Sequence, residues 1–395
     1  MDKWKIRYST IDIVLLCISF YEVTGIPHTL FLGIKYAIIL YLFTKHCFEY
    51  KKMRSITAFI LLYGGVIFIS TLMNQNMLNR YVASFVYMLH IMTIYVTIYA
   101  FVRNRGIEAL VRCLILTLIV FALFTDSLML FVSYNFSSPS ESYLIGNKFA
   151  VSYLHCFITA LLYCCNEKNA KKRLRLKTFR SIFCVASVLV CMKVTCTTGM
   201  LICLLMGAMN YFPIPLRIRK VISNPKIIVL VTAVINVLML GSTSLLTNPY
   251  IADFISNVLG KSYTWVGRLH IYAMIFDVIK IRPWMGYGYF SNIIEKILGF
   301  GNAQNGVLKI IIDSGIIGLI GYTLLAYRSM KSFDHTAEKI WSMAVFVYCM
   351  IFASIAEINL TDYLFFLTSS IIFASGEIAN FKNCKHHQKE GRTLE

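Results

Sequence analysis

Apolar stretches separated by short polar segments run along nearly the whole chain. A helix that crosses a membrane needs about 20 mainly apolar residues, because lipid offers no partners for backbone polar groups. The pattern predicts an all-α, polytopic integral membrane protein with about 12 transmembrane helices; ten or eleven spans are alternatives if the seventh window or the last pair is not a span. The approximate bounds of the windows are Ile11–Pro27, Thr29–Thr44, Ile56–Met73, Tyr81–Val102, Leu110–Ser133, Phe149–Cys165, Ser181–Thr195, Gly199–Leu216, Ile227–Leu246, Val307–Tyr327, Ile340–Ala356 and Tyr363–Ala379.

Composition and charge support this interpretation. Of the 395 residues, 58% are apolar and 14% are charged, which is more apolar than a soluble core requires. The gaps between the windows are too short for a separate soluble domain, so we expect one transmembrane domain over residues 1–395. The net charge of +19 is spread over short clusters between the windows, so we expect no nucleic-acid partner.

The distribution of Lys and Arg predicts the orientation, because cytoplasmic loops retain positive charge. With the amino terminus inside, 28 of the 38 basic residues fall on the cytoplasmic side and 9 on the other, while Lys35 lies within the second window. We therefore expect a multi-pass protein of the cytoplasmic membrane with both termini cytoplasmic.

Twelve cysteines are present, and most lie inside apolar windows, where they act as small apolar residues. No Cys-x-x-Cys pair occurs. The sequence therefore predicts neither a metal site nor a structural disulfide, and no cofactor is expected.

The connection from Thr247 to Asn305 is the longest, and it lies on the predicted extracytoplasmic side. Loops of this length usually carry function. An apolar stripe over residues 267–281 predicts a helix there, and a second, short helix is expected near residues 292–298. Five of the 9 extracytoplasmic cations lie in this loop, and Lys309 starts the next helix. They point to a bound anion such as a phosphate; a solvated loop whose charges meet lipid head groups is the alternative.

Four short motifs follow one another in and after this loop. In order and spacing they resemble the O-antigen polymerase and ligase family, which has a Gly-Arg pair, an "NP..G.G...F" turn, an "AHN" triplet and an "E.G..G" helix motif. The resemblance covers residues 267–321, and elsewhere only helix number and topology agree. The motifs are Gly267-Arg268, Arg282-Pro283-Trp284-Met285-Gly286-Tyr287-Gly288-Tyr289-Phe290, Ala303-Gln304-Asn305 and Asp313-Ser314-Gly315-Ile316-Ile317-Gly318.

Some positions depart from the family pattern. The family's His is Gln304 here, and Gln cannot accept a proton near neutral pH, which excludes a general base at this position. The family's Glu is Asp313. A Ser-Arg pair that the family often has near the seventh and eighth helices is replaced by residues 195–199, leaving Lys193 as the nearest cation. The missing His argues more against a ligase than against a polymerase.

The resemblance implies a glycosyltransferase that joins polyprenyl-diphosphate-linked oligosaccharide repeat units into capsular or O-antigen-type polysaccharide at the outer face of the cytoplasmic membrane. The implied partners are these lipid-linked oligosaccharides, membrane lipids, a chain-length regulator and a flippase. The alternatives are an O-antigen ligase-type transferase and a lipid-linked oligosaccharide flippase or transporter. A transporter built from two related halves usually has its long connection at the centre of the chain. The long loop follows the ninth helix here, which argues against that alternative.

Such a transfer needs cations that stabilise the departing diphosphate, and a carboxylate that can take a proton. Arg268 is the leading diphosphate ligand, and Arg282 or Lys193 is the second. Contact with lipid is the alternative for Arg282, and snorkelling to the membrane surface is the alternative for Lys193. Asp313, two turns into a membrane helix, is a catalytic candidate because a buried acid there is costly.

Four further polar residues belong to the predicted site. Glu141 and Glu357, near the outer boundary, are the candidate bases, although both could be ordinary loop residues. Gln304 and Asn305 are candidate ligands for sugar or phosphate, and Asn305 is equally suited to cap the tenth helix.

The aromatic side chains of the loop are candidates for sugar stacking. Trp284 and Tyr287 are the candidate substrate-binding residues among them. An aromatic belt at the membrane surface explains both equally well.

Overall fold

The structure is a computed structural model that describes residues 2–21, 26–74, 80–131, 143–165, 169–209, 211–212, 214–241, 262–335 and 337–391. Its α-helices within these ranges are α1 (Asp2–Ile18), α2 (His28–His46), α3 (Arg54–Met73), α4 (Tyr81–Arg105), α5 (Ile107–Phe131), α6 (Lys148–Cys164), α7 (Ala170–Lys193), α8 (Thr197–Ala208), α9 (Leu216–Ile222), α10 (Pro225–Gly241), α11 (Ser262–Ile281), α12 (Ile293–Leu298), α13 (Gly306–Met330), α14 (Ala337–Ala353) and α15 (Tyr363–Gly391). Three 3₁₀ turns accompany them at Cys47–Lys52, Lys331–His335 and Asn359–Thr361.

Each predicted span overlaps one of these helices, and the all-helical membrane fold is confirmed. The count of twelve spans remains a prediction, because several helices are short: α8 has 12 residues, about 18 Å at 1.5 Å per residue, against a hydrocarbon core of about 30 Å. Helices α9 and α10 are bent by 62° and would form a sixth span if they cross together. Among the residues that the structure describes, five helical segments are long and apolar enough to cross a membrane by themselves: His28–Lys52, Arg54–Met73, Tyr81–Arg105, Ile107–Leu130 and Gly306–Phe333.

Several predicted boundaries differ from the structure. Helix α1 spans Asp2–Ile18 where the first window was Ile11–Pro27, and α8 ends at Ala208 where the eighth window ended at Leu216. Helix α7 begins at Ala170, not at Ser181, because the side chain of Asn169 accepts hydrogen bonds from the N–H groups of Lys171 (3.0 Å) and Lys172 (3.4 Å) and caps the helix. The basic segment that follows was expected to be a loop, yet Lys, Arg and Leu all favour a helix. The last helix likewise continues to Gly391.

Helices α4 and α6 form the centre of the bundle. Residues 91–102 of α4 and 151–163 of α6 are buried without interruption, so both helices are covered on every side. Aromatic side chains pack the surrounding helices against this centre. For example, the ring centres of Tyr95 in α4 and Phe373 in α15 are 6.2 Å apart. The long loop contains α11 and α12, which match the two helices predicted there.

Helix α13 is broken at Gly315, whose φ of 64° and ψ of −165° are not helical. A break at this point removes two bonds of the helical ladder. It leaves the carbonyl groups of Ile312 and Asp313, and the N–H groups of Ile316 and Ile317, without their helical partners.

The turn of residues 283–288 docks into this break and satisfies all four groups with its own backbone. Positive φ angles at Gly286 (68°) and Gly315 (64°) allow the two backbones to approach. A Cβ on Gly315 would lie 2.2 Å from the carbonyl oxygen of Trp284, so only glycine fits. The four bonds, each from N–H to carbonyl, are Tyr287 to Ile312 (2.7 Å), Gly288 to Asp313 (3.0 Å), Ile316 to Pro283 (2.8 Å) and Ile317 to Trp284 (3.2 Å).

We expect Gly315→Ala to destabilise the protein by more than about 1 kcal/mol, since alanine is strained at this φ and its Cβ would push the turn out of the break. Thermal unfolding of the purified protein in detergent measures the effect. Gly33→Ala in α2 is the matched control, because nothing lies within 4 Å of a Cβ built there. An unchanged unfolding temperature for Gly315→Ala would contradict the docking geometry.

Candidate functional site

A polar cavity of about 570 Å³ lies where several helix ends meet. The end of α1, the start of α6, the segment before α13 and the segment between α14 and α15 all line it, and each is an end that the charge distribution predicts to be extracytoplasmic. Its polar lining residues are Tyr21, Asn147, Lys148, Tyr153, Asn302, Gln304, Glu357, Asn359, Thr361 and Asp362. The cavity therefore has the size and polarity suited to a sugar-containing ligand.

Glu357 is an acid at the wall of the polar cavity that side chains of two other helices hold in place. Its carboxylate accepts one hydrogen bond from the Tyr153 hydroxyl of α6 and another from the Thr198 hydroxyl of α8, the latter at 2.9 Å. Only 8% of the residue is exposed. Two donors on one carboxylate fix its orientation, which is a requirement for a group that takes a proton from a bound substrate.

A second, aromatic cavity of about 260 Å³ adjoins the polar cavity. The two cavities share Phe20, Ile358, Thr361 and Asp362. Rings supply much of the wall of the aromatic cavity, and a charged pair completes it. The other lining residues are Tyr63, Tyr87, Tyr289, Phe290, Lys309, Asp313 and Tyr363.

The charged pair of the aromatic cavity is formed within α13. The Lys309 ammonium group lies 2.7 Å from the Asp313 carboxylate, four residues further along the helix, and 5.6 Å from the centre of the Phe290 ring. Both side chains are largely buried, with 13% and 6% of their surfaces exposed. The pair explains how Asp313 is tolerated in a membrane helix, since the cation compensates its charge.

Asp362 lies at the junction of the two cavities. Burial raises the pKa of its carboxyl group above the ordinary value, while the backbone N–H groups of Leu364 and Tyr363 and the charge of Lys35 act in the opposite direction. The Leu364 N–H donates to its side chain at 3.2 Å, so Asp362 also caps the start of α15.

Gln304 and Asn305 have different roles in the structure. Gln304 lines the polar cavity and has a φ of 47°. Asn305 is fully buried, and its side-chain oxygen accepts from the N–H groups of Val307 (2.9 Å) and Leu308 (3.0 Å). Its amide nitrogen donates to Asn236 of α10 at 3.0 Å. Both polar atoms of Asn305 thus serve the helix cap and the packing of α10.

The predicted ligands in the turn of residues 282–287 are not among the described residues that line either cavity. Arg282 is exposed and lies 5.6 Å from the ring of Tyr287. Trp284 is 63% exposed. Tyr287 is buried, and its hydroxyl donates to the Val278 carbonyl at 2.6 Å, so this ring anchors the turn to α11.

Three further predicted residues are not placed in the site by the structure. Lys193 is exposed at the end of α7 and is not among the described lining residues. Arg268 lies on α11 one turn before Tyr272, whose hydroxyl donates to the Gln304 carbonyl at 3.4 Å, but the Arg268 side chain lies outside the described part of the structure. Glu141 lies outside the described residues altogether.

Sequence reasoning missed several members of the site. Lys148 was counted among the extracytoplasmic cations but given no role, Tyr153 was hidden in an apolar window, and Thr198 lies between two windows. Tyr153 and Glu357 are 204 positions apart, so no local pattern joins them. The one available signal was the threonine-rich segment 195–199, which stands where the family often has a Ser-Arg pair.

Comparison with known proteins bears directly on the part of the chain that holds the motifs. Residues 182–323 match the O-antigen ligase family model. The match covers just over a third of the 395 residues, from α7 into α13. No curated protein and no solved structure matches the chain.

The O-antigen ligase match confirms the resemblance seen in the motifs. It includes the docked turn, Gly315, Gln304 and Thr198, whereas Glu357 lies beyond it. It indicates a membrane enzyme of the O-antigen polymerase or ligase type, which agrees with the apolar helices of the fold.

We expect Asp362→Asn to raise the unfolding temperature near pH 7, because Asn keeps the helix cap and removes a partly buried charge. A carboxyl whose folded-state pKa is raised stabilises the fold fully below its ordinary pKa and loses this contribution as pH rises through the folded-state pKa. The difference between variant and wild type should therefore shrink as pH falls toward about 4.

Unfolding temperatures measured across this pH range test the expectation. Asp277→Asn is the matched control, because the Asp277 side chain is 74% exposed on α11. A difference for Asp362→Asn that is the same at every pH would show that its charge is not the cause.

Proposed function

We propose that the protein is a polymerase that joins polyprenyl-diphosphate-linked oligosaccharide repeat units at the outer face of the cytoplasmic membrane. The product is a polysaccharide of the capsular or O-antigen type, carried on undecaprenyl or a similar polyprenyl diphosphate. The observation that carries the proposal is Glu357, held by two hydroxyl groups at the wall of a polar cavity among the predicted extracytoplasmic helix ends.

In the proposed reaction a hydroxyl group of the acceptor sugar attacks C1 of the donor glycan. The proton of that hydroxyl passes to the Glu357 carboxylate as the new glycosidic bond forms. The bond from C1 to the diphosphate breaks, and the polyprenyl diphosphate departs with the electron pair. Each turn of the reaction lengthens the chain by the repeat units of the donor.

The departing diphosphate needs cations near it, because negative charge develops on its oxygen atoms. Lys148 lines the polar cavity at the start of α6, and Lys309 lines the aromatic cavity. Arg268 stays the leading diphosphate ligand proposed from the motifs, on the helix that contacts Gln304 through Tyr272. The starts of α6 and α13 add the positive ends of two helix dipoles.

A ligase-type transfer to a different acceptor is the second candidate, favoured by the description of the matching family. Gln304 favours the polymerase. It stands where the family has a histidine, and its amide cannot replace that histidine as a base. The product distinguishes the two: a polymerase makes a ladder of products from the lipid-linked repeat unit alone, whereas a ligase needs a second kind of acceptor.

We expect Glu357→Gln to lower the rate of polymer formation by roughly 100-fold or more, because the amide cannot take the proton of the acceptor hydroxyl. The measurement incubates the purified protein with a lipid-diphosphate repeat unit and follows the ladder of products. Asp277→Asn, an exposed acid on α11, is the matched control and should keep the wild-type ladder. Wild-type rates for Glu357→Gln would remove this residue from the reaction.

We expect Arg268→Ala to abolish long-chain polymer while the protein remains in the membrane, because the lost guanidinium would no longer bind the departing charge; removal of such a group costs roughly 100-fold or more. Chain length and membrane abundance are measured in the same cells. Lys280→Ala is the control from the same helix, since the Lys280 side chain is 76% exposed and pairs with Asp277. Wild-type chain length in Arg268→Ala would defeat the assignment.

A further inference from the structure

A second charged cavity, the basic pocket, lies at the other end of the bundle. Its volume is about 430 Å³, and Arg112, Lys172 and Arg175 supply its positive charge. It lies between the start of α5, the end of α6, the basic first half of α7 and the start of α14. Tyr153 near one end of α6 lines the polar cavity, and Cys164 at the other end lines the basic pocket, so the two cavities open on opposite sides. The basic pocket is therefore on the predicted cytoplasmic side.

Within the described ranges, the cations that line the basic pocket outnumber its acids. One acid, Glu108, lines it together with the three cations. Among the described residues, none of these cations lies within ion-pairing distance of a carboxylate. Other basic residues on the same predicted side do have such partners: Lys45 pairs with Asp12 at 2.7 Å, Arg103 with Glu49 at 2.8 Å and Arg328 with Glu377 at 2.6 Å.

The remaining walls of the basic pocket are apolar. Ile107 and Val111 come from α5, Leu176 from α7 and Ile340 from α14. Val111 and Ile340 are buried, whereas the cations are exposed at the rim. An exposed cationic rim above an apolar floor suits a ligand that carries both a phosphate and a hydrocarbon chain.

We propose that the basic pocket binds an anionic glycerophospholipid of the cytoplasmic leaflet, with its phosphate between the three cations and the upper part of an acyl chain against the apolar floor. Basic pockets between membrane helices on the cytoplasmic side bind acidic head groups in this way. Arginine forks match phosphate oxygens with two parallel hydrogen bonds, and lysine adds a compact charge. A free phosphate ion would leave the apolar floor without a partner.

The test measures lipid retention by the purified full-length protein with native mass spectrometry, after titration with phosphatidylglycerol or phosphatidylcholine. The variant carries Arg112→Gln, Lys172→Gln and Arg175→Gln. The matched control carries Arg217→Gln, Lys220→Gln and Lys226→Gln, which removes the same charge from exposed residues of α9 and α10 on the same predicted side. Elution in size-exclusion chromatography checks that both fold.

The wild type and the control should retain phosphatidylglycerol in preference to phosphatidylcholine. The basic-pocket variant should retain it roughly tenfold or more less well, since each cation near an anionic surface contributes about fivefold in affinity. Three outcomes would each overturn the proposal. They are an equal loss in the control, the absence of a preference between the two lipids, and displacement of phosphatidylglycerol by inorganic phosphate or by an acidic peptide at the same concentration as the lipid. The measurement does not depend on polymer formation, so its failure is distinct from failure of the proposed function.

Discussion

The docking of the glycine-rich turn into the broken helix α13 is the interaction on which the rest of the site depends. In a membrane helix every backbone polar group needs a protein partner, because lipid offers none. The break at Gly315 opens four such groups, and the turn of residues 283–288 closes all four with its own N–H and carbonyl groups. The exchange fixes the register between the long loop and the helix to a single arrangement, since neither Gly286 nor Gly315 has room for a side chain.

This arrangement determines what lies around the charged pair of α13. The docked turn continues directly into Tyr289 and Phe290, which line the aromatic cavity beside Lys309 and Asp313. The Tyr289 N–H donates to the Thr71 hydroxyl at 2.9 Å, and its ring stacks on Tyr87 at 4.9 Å, so the turn is also fastened to α3 and α4. The loop is thus part of the wall of the site. Its glycines allow the close backbone contacts that hold this wall in place.

Sequence reasoning predicted the local features and missed the contacts between distant elements. The helices of the long loop follow from apolar periodicity, and the order of the motifs follows from their residues. The reason for the glycines did not follow from the sequence, because it is visible only where residues 286 and 315 come into contact. Asn305 was predicted as a ligand or a helix cap, and the bonds from Val307 and Leu308 to its side chain show the cap. Tyr287 proved to be an anchor because its hydroxyl bonds to Val278. The count of twelve spans remains a prediction, because neither length nor hydropathy alone identifies a helix as short as α8 as a membrane span.

Of the three acids to which sequence reasoning gave catalytic roles, Asp313 and Glu357 lie among the described residues, and different groups hold their carboxylates. Asp313 is paired with Lys309 inside a ring of aromatic side chains, so proton uptake there would leave a buried cation behind. Glu357 is instead held by the hydroxyl groups of Tyr153 and Thr198, which orient a carboxylate without adding charge. In the proposed reaction, proton uptake at Glu357 would remove negative charge from the wall of the polar cavity as negative charge develops on the departing diphosphate. Glu357 is therefore the proposed base, and Asp313 is the partner that holds Lys309 in the aromatic cavity.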